Sequence, residues 1–296
     1  MTTLTAHAAE KDAGRKIKYF VRGDMKVSYR QYCAAKAANA VRVNGTPVHA
    51  DYLLRVGDCI SVELPDTPVG KAVAPEPGEV NIAYMDADIL IIDKPAPLAC
   101  QCTPKQPSGT LENYLQYRFC GEGFVFRPLN RLDRGTSGLM AAARHAHACQ
   151  LLQRDLHTER FIREYLAVVE GELTGEGCID LPIAKEDAAT VRRVIDPANG
   201  LPARTHYRAL ETAHGRTLVQ LRLETGRTHQ IRVHLAAIGH PIAGDFLYGR
   251  EIAELPGRFA LHSAYVRFLH PLTGQALEFE SPLPGALRAL LPKAGS

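Results

Sequence analysis

The chain is 296 residues long, 46% apolar and 23% charged, with a formal net charge of +3. That is the make-up of an ordinary globular protein with room for one large domain and a small one. No apolar run approaches the ~20 residues that span a bilayer, and the opening MTTLTAHAAEKDAGRK has no signal-peptide core, so a cytoplasmic protein without a membrane segment is expected. Seven scattered cysteines argue against a disulfide framework, and Cys100 and Cys102 have no second pair to complete a zinc pattern, so they read as reduced thiols.

Charge is unevenly spread. Between Met1 and Val48 lie nine Lys or Arg against three acids, a local net of +6, which leaves the remainder slightly acidic. Such a cluster is the footprint expected for phosphate contacts, although a merely solvated basic surface would look the same. Within it, SYRQYCAAKAAN is Ala-rich with Ser28 placed as a cap, and predicts a short helix. Asn44-Gly45 is the dipeptide of tight hairpin turns, and YLLRVGDCISVEL supplies a turn at Gly57-Asp58 and a strand ending near Leu64. The Pro- and Gly-rich PDTPVGKAVAPEPGEV that follows reads as a linker over 66–80. The order of elements over 1–65 resembles the alpha-L motif, a small RNA-binding domain of a small-ribosomal-subunit protein and of some RNA-modifying enzymes. The resemblance implies RNA contacts from Arg22, Lys26, Arg30, Lys36, Arg42 and Asn44.

A larger unit over 81–290 is expected to follow. NIAYMDADILIIDKPAPL gives two short strands, and SGTLENYLQYRF a helix capped by Ser108 or Thr110. SGLMAAA is an apolar strand, and AHACQLLQRDLH an amphipathic helix with Cys149, Leu152 and Leu156 at helical spacing. In REYLAVVEGEL, Tyr165, Ala167 and Val169 point one way and Leu166 and Val168 the other. TLVQLRLETG is a strand running into a helix over RTHQIRVHLAAIGHP, which begins near Thr228 and stops at Gly239-His240-Pro241. LHSAYVRFLHPLTGQALEFESPLP is a hairpin. Strands outnumber helices and come in runs, which predicts an α+β fold on a largely antiparallel sheet.

Several chemistries are missing. GxSxG, a phosphate-binding Walker loop, GxGxxG and HExxH do not occur. His229 and His234 are five apart, about 140° around a helix, and would not share a metal. What remains is FRPLNRLDRGTSGLM, in which Asp133 stands between Arg131 and Arg134. Flanking guanidinium groups favour an ionised carboxylate. That makes a poor general acid, but an ion-pair partner, a loop cap or a nucleophile all stay open. If the RTHQIRVH helix start abuts this loop, Arg232 can bind Asp133 in the two-bond manner that suits guanidinium, with His229 on the same face. Spacing alone favours a purely structural ion pair.

NRLDRGTSGLM is similar to the HRLDxxTSG motif of the RluA family of pseudouridine synthases. REYLAVVEG resembles that family's KxYxAxVxG strand, ETGRTHQIRVHLAAIGHPIAGDFLYG its TGRxHQIRVHLxxxGHPIxGDxxYG segment, and ILIIDKPAPL its strand ending in NKPxG. The match runs in order over roughly residues 80 to 282. It implies a pseudouridine synthase catalytic domain on a mixed, largely antiparallel sheet, isomerising uridine in structured RNA without cofactor or metal. Asp133 would be the catalytic carboxylate, attacking the ribose C1′ or the uracil ring or promoting a glycal. Tyr165 would lie against the base and aid proton removal, Arg232 would pair with the aspartate, and Arg131 would fill the gap left by the flipped nucleotide. Arg134, Thr136, Arg227, His229 and Gln230 complete the expected substrate contacts. Three departures stand out: Asn130 for the usual His, Asp93 and Pro97 for Asn and Gly, and Arg163 for Lys. The expected partner of this monomer is ribosomal RNA, with transfer RNA second. The rival reading is a non-catalytic RNA-binding or ribosome-assembly factor, and a weaker one is a hydrolase pairing Asp133 with a histidine.

Overall fold

The computed structural model describes residues 2–65, 73–187 and 189–291. The N-terminal unit comprises β1 (Thr2–His7), α1 (Ile17–Gly23), α2 (Tyr29–Ala37), β2 (Val41–Val43), β3 (Thr46–Pro47) and β4 (Cys59–Leu64), with strand order β1-β4-β2-β3. Ile17, Phe20 and Val21 lie one helical turn apart and pack with Tyr32, Val41, Ile60 and Val62 into a core of their own. Ser28 caps α2 as expected, its Oγ accepting from Gln31 N while Gln31 reaches back to Ser28 N. Asn44 and Gly45 both adopt positive φ, 51° and 82°, the mirror-image turn that matches strand twist. The sequence reading found one helix here; β1 and α1 are additional. A seven-residue helix offers too little length for its apolar period to register.

The second unit runs β5 (Asn81–Met85), β6 (Ile89–Lys94), α3 (Leu111–Arg118), β7 (Arg127–Pro128), β8 (Ser137–Ala143), α4 (Ala146–Asp155) and β9 (Phe161–Glu170). It continues with β10 (Glu176–Asp180), β11 (Ile183–Lys185), β12 (Arg193–Ile195), β13 (Arg204–Ala213), β14 (Arg216–Leu223), α5 (Gln230–Ala237), β15 (Leu261–Leu269), β16 (Ala276–Glu280) and α6 (Gly285–Arg288). Its main sheet has the order β10-β13-β14-β9-β15-β8-β6-β5, with β16 on β15 and β7 on β8. The β8–β15 pair is parallel and the remaining pairs antiparallel, the α+β mixed sheet the sequence predicts. β8 is buried along its whole length, which explains its unbroken small and apolar run. Gly138 sits at φ 104° where a side chain would run into the Ser263 backbone, so the parallel contact requires glycine. Strands β10 to β13 escaped the sequence reading because most of their residues stay at least partly exposed, leaving no apolar alternation to read.

Part of the expected linker, residues 66–72, lies outside the described residues. The stretch after it is fastened to α3: Ala74 O accepts from Asn113 Nδ2 at 2.9 Å and Glu76 Oε2 accepts from Gly109 N at 2.7 Å.

Candidate active site

Asp133 sits on the loop between β7 and β8, the best-held loop of the cleft. Its carbonyl accepts from Thr136 N at 3.0 Å, closing a tight turn, and the Arg134 carbonyl accepts from Leu98 N at 2.9 Å. Beneath lies Lys94, wholly buried, donating to the Pro95 and Leu98 carbonyls at 2.9 and 2.8 Å. Burial pushes its ammonium down to about 8, with Asp133 among the groups that oppose the fall. The Asp133 Oδ2 lies 3.2 Å from Arg232 Nη1 and 3.9 Å from His229 Nε2. Among the described residues Oδ1 accepts no hydrogen bond, and the side chain is 29% exposed. One oxygen is pinned, and the residue lines the cleft.

The expected two-bond pair between Arg232 and Asp133 does not form. Arg232 gives its two-bond edge to Asp245 instead, Nε to Oδ2 and Nη2 to Oδ1, both at 2.7 Å. Asp245 is fully buried and also accepts from Leu247 N and Tyr248 N. A dry carboxylate needs its lone pairs satisfied more than one at a cleft does, so Asp245 takes the planar fork and Asp133 the remaining Nη1. Burial works against the charge on Arg232, but Asp245 and Asp133 outweigh it and hold the guanidinium above its ordinary value. The Phe259 ring, 4.2 Å away, supports the cation from one side. Asp245 was passed over although it stands at the Asp of the GHPIxGDxxYG segment, because no spacing rule links that acid to an arginine on the preceding helix.

Tyr165 projects from β9 and is 5% exposed. Burial raises its hydroxyl, with Ser263 and Asn130 among the neighbours that temper the rise, so the group is a neutral phenol at ordinary pH. Asn130 is 6% exposed, and its Oδ1 accepts from Ala141 N at 3.0 Å, stapling the Asp133 loop to β8. A cleft of about 720 Å³ gathers Asp133, Tyr165, His229 and Arg163, with Arg131, Arg134 and Arg227 exposed on its rim. Thr136 is buried beside Asp133. Gln230 is spent inside the protein: Oε1 accepts from Arg227 N and Thr225 Oγ1, and Nε2 donates to Arg204 O and Thr205 Oγ1.

The histidines diverge. His234 is buried between Thr205 and the Leu181 carbonyl, and His240 bonds the Glu170 carbonyl. A separate cluster unites Asp86, Asp88 and His270, joined by His145. His270 Nδ1 accepts from Leu272 N and Thr273 N, and His145 Nδ1 from Ala148 N. With Nδ1 accepting, each ring points an Nε2–H at the carboxylates rather than a metal-binding lone pair, which suits a clasp between loops.

In the N-terminal unit Arg22, Lys26, Arg30 and Lys36 are exposed. Arg42 is paired with Glu63. The Asn44 amide is used within the protein, tying its turn to the Gly57-Asp58 turn by donating to Asp58 and accepting from Cys59 N, each at 2.9 Å.

Residues 88–237 match the family described as RNA pseudouridylate synthase. The chain belongs to the RluA family of RNA pseudouridine synthases. An uncharacterized RNA pseudouridine synthase of Bacillus subtilis is 36% identical over 273 residues, covering 91% of this chain and 96% of the relative. Ribosomal large subunit pseudouridine synthase D of Haemophilus influenzae is 40% identical over 227 residues, covering 72% and 70%. The solved structure of human RNA pseudouridylate synthase domain containing 1 superposes with a TM-score of 0.56 at 30% identity, covering 70% of this chain and 86% of the human one. The enzyme is thus an isomerase acting on RNA. No helix among the described residues is long and apolar enough to cross a membrane.

Proposed function

We propose that this enzyme converts particular uridines of large-subunit ribosomal RNA to pseudouridine, with Asp133 as its catalytic carboxylate. The observation that carries the reading is the asymmetry of Asp133: Oδ2 is held by Arg232 while Oδ1 is unpartnered at the cleft. An ionised carboxylate needs no base to become a nucleophile, and an oxygen without a protein partner is open to a substrate atom. The rRNA assignment draws support from relatives such as the Haemophilus influenzae synthase.

A uridine must leave its stack to reach Oδ1. Arg131, exposed on the rim, fills the vacated space, while Arg134 and Arg227 meet phosphates. Tyr165 lies against the flipped base and fixes its plane. The bond between C1′ and N1 breaks, the uracil turns and C5 joins the ribose; the C5 proton passes to solvent and N1 takes one up, so that the product is an isomer of the substrate. Thr136 and Gln230 act by shaping the walls, since both are buried. Arg22, Lys26, Arg30 and Lys36 of the N-terminal unit supply further phosphate contacts.

Release of tritium from C5 of uridine in a large-subunit rRNA transcript measures the reaction directly. Asp133→Asn should release none while RNA affinity stays within about tenfold, because one neutralised acid adds or removes no phosphate contact. Product from this variant would remove Asp133 from the catalytic role.

A further inference from the structure

His229 is held by more constraints than a cleft-lining side chain needs. It precedes α5 with φ 58°, a left-handed conformation that few non-glycine residues adopt and that costs of order 1 kcal/mol or more. Its ring is 11% exposed. Nδ1 lies 2.8 Å from the Tyr248 hydroxyl, and that hydroxyl accepts from Arg193 N at 2.8 Å. Among the described residues His229 Nδ1 is the one acceptor recorded for the Tyr248 proton. Tyr248 therefore donates to Nδ1, and the neutral imidazole carries its proton on Nε2. The other end of the ring selects the same tautomer, because Nε2 faces Asp133 Oδ2, where an N–H is attracted and a lone pair repelled. Burial favours the neutral ring, pushing His229 below the ordinary histidine range against the pull of Asp133.

The distance to Oδ2 is 3.9 Å, too long for a hydrogen bond. The Nε2–H is thus oriented and without a protein acceptor at the cleft, beside the carboxylate on which the reaction centres. A donor fixed at both ends of its ring and left open to the cleft is available to a group that arrives there.

Building on the reading of Asp133 given above, we propose that His229 is a second catalytic residue, whose Nε2–H donates a hydrogen bond to the uracil carbonyl oxygen that gains charge as the glycosidic bond breaks. No proton changes hands in this step. Asp133 Oδ1 bonds to C1′ as the C1′–N1 bond breaks, the electron pair of that bond passes to the uracil ring, and the fixed N–H meets the charge on the neighbouring oxygen. The short β11–β12 hairpin acquires a role through Arg193, since its backbone N–H fixes the tautomer by way of Tyr248.

Three variants of the full-length chain test this with the tritium assay on a large-subunit rRNA transcript. His229→Asn keeps a residue that tolerates positive φ but is too short to reach the oxygen. It should lower kcat by about 100-fold, with KM within about threefold, as for loss of one preorganised donor. His229→Gln places an amide N–H near the former Nε2 and should recover about tenfold of that loss. Tyr248→Phe releases the tautomer and should lower kcat by about tenfold. A kcat within about threefold of wild type for His229→Asn, or equal impairment of the Asn and Gln variants, would overturn the proposal. A wild type that releases no tritium would instead sink the substrate reading and this inference with it, so the two failures are told apart.

Discussion

The two units of this enzyme handle charge in opposite ways. In the N-terminal unit, Arg22, Lys26, Arg30 and Lys36 stand in solvent, and its ion pairs, such as Lys18 with Asp51, are largely exposed. In the catalytic unit, Arg232 and Asp245 are almost fully enclosed, Lys94 is wholly buried and Arg163 is 4% exposed. Exposed charges act one at a time through a screened field and trade their counterions for phosphates. Enclosed charges act as a set whose members cannot be removed singly without stranding a partner. The contrast teaches that net charge marks the basic N-terminal surface but says nothing of the site, whose charges are set by which partners enclose them.

The sharpest way to break the comparison is to unpair the buried set. Asp245→Asn should cost about 3–5 kcal/mol in denaturant unfolding, the range for stranding one member of a buried pair. It also frees the Arg232 fork to swing onto Asp133, so turnover should fall by about 100-fold, the effect of losing one preorganised interaction. A variant as stable and active as wild type would mean that Asp245 does not fix the arginine.

A smaller effect comes from Lys94. The unfolded chain keeps this proton up to the ordinary lysine value of 10.5, whereas the fold releases it from about 8. In that window the unfolded state binds more protons, so this group's contribution to stability rises with pH. The stability of wild type relative to Lys94→Met should therefore increase by on the order of 2–3 kcal/mol between pH 7.5 and 10. A constant difference across that range would show that the ammonium is not desolvated.

The smallest effects on stability belong to the surface. Arg30→Ala and Lys36→Ala should each stay within about 0.5 kcal/mol of wild type in unfolding. Each should also reduce the slope of log affinity against log salt for an rRNA transcript by about one. An unchanged slope would move the RNA-facing surface away from α2 and leave the basic cluster as solvation only.

Much of the site was legible because its local pieces have short-range causes. The Asn44-Gly45 turn, the Ser28 cap and the alternation of β9 each depend on neighbours within a few residues. The loop bearing Asp133 carried a motif, and the helix bearing Arg232 another, so their meeting at 3.2 Å was foreseeable. Gln230 was misleading for the same reason. The motif marks it for the site, but its amide is saturated by Arg204, Thr205, Thr225 and Arg227. Exposed strands β10 to β13 left no apolar pattern, yet they bring Thr205 to His234 and Arg193 to Tyr248, the hydrogen-bond partner of His229.

The sequence by itself determined the elements with a strong apolar period or cap, the basic N-terminal surface and the loop that carries Asp133, because those follow from local propensity, composition and ordered motifs. Only the tertiary structure decided which acid would own the fork of Arg232, 13 residues from Asp245 and 99 from Asp133. It alone decided that Tyr248 and Arg193 would set the tautomer of His229. Hydrogen bonds between side chains are allotted by angle and dryness at the point of contact, and neither exists until distant segments pack.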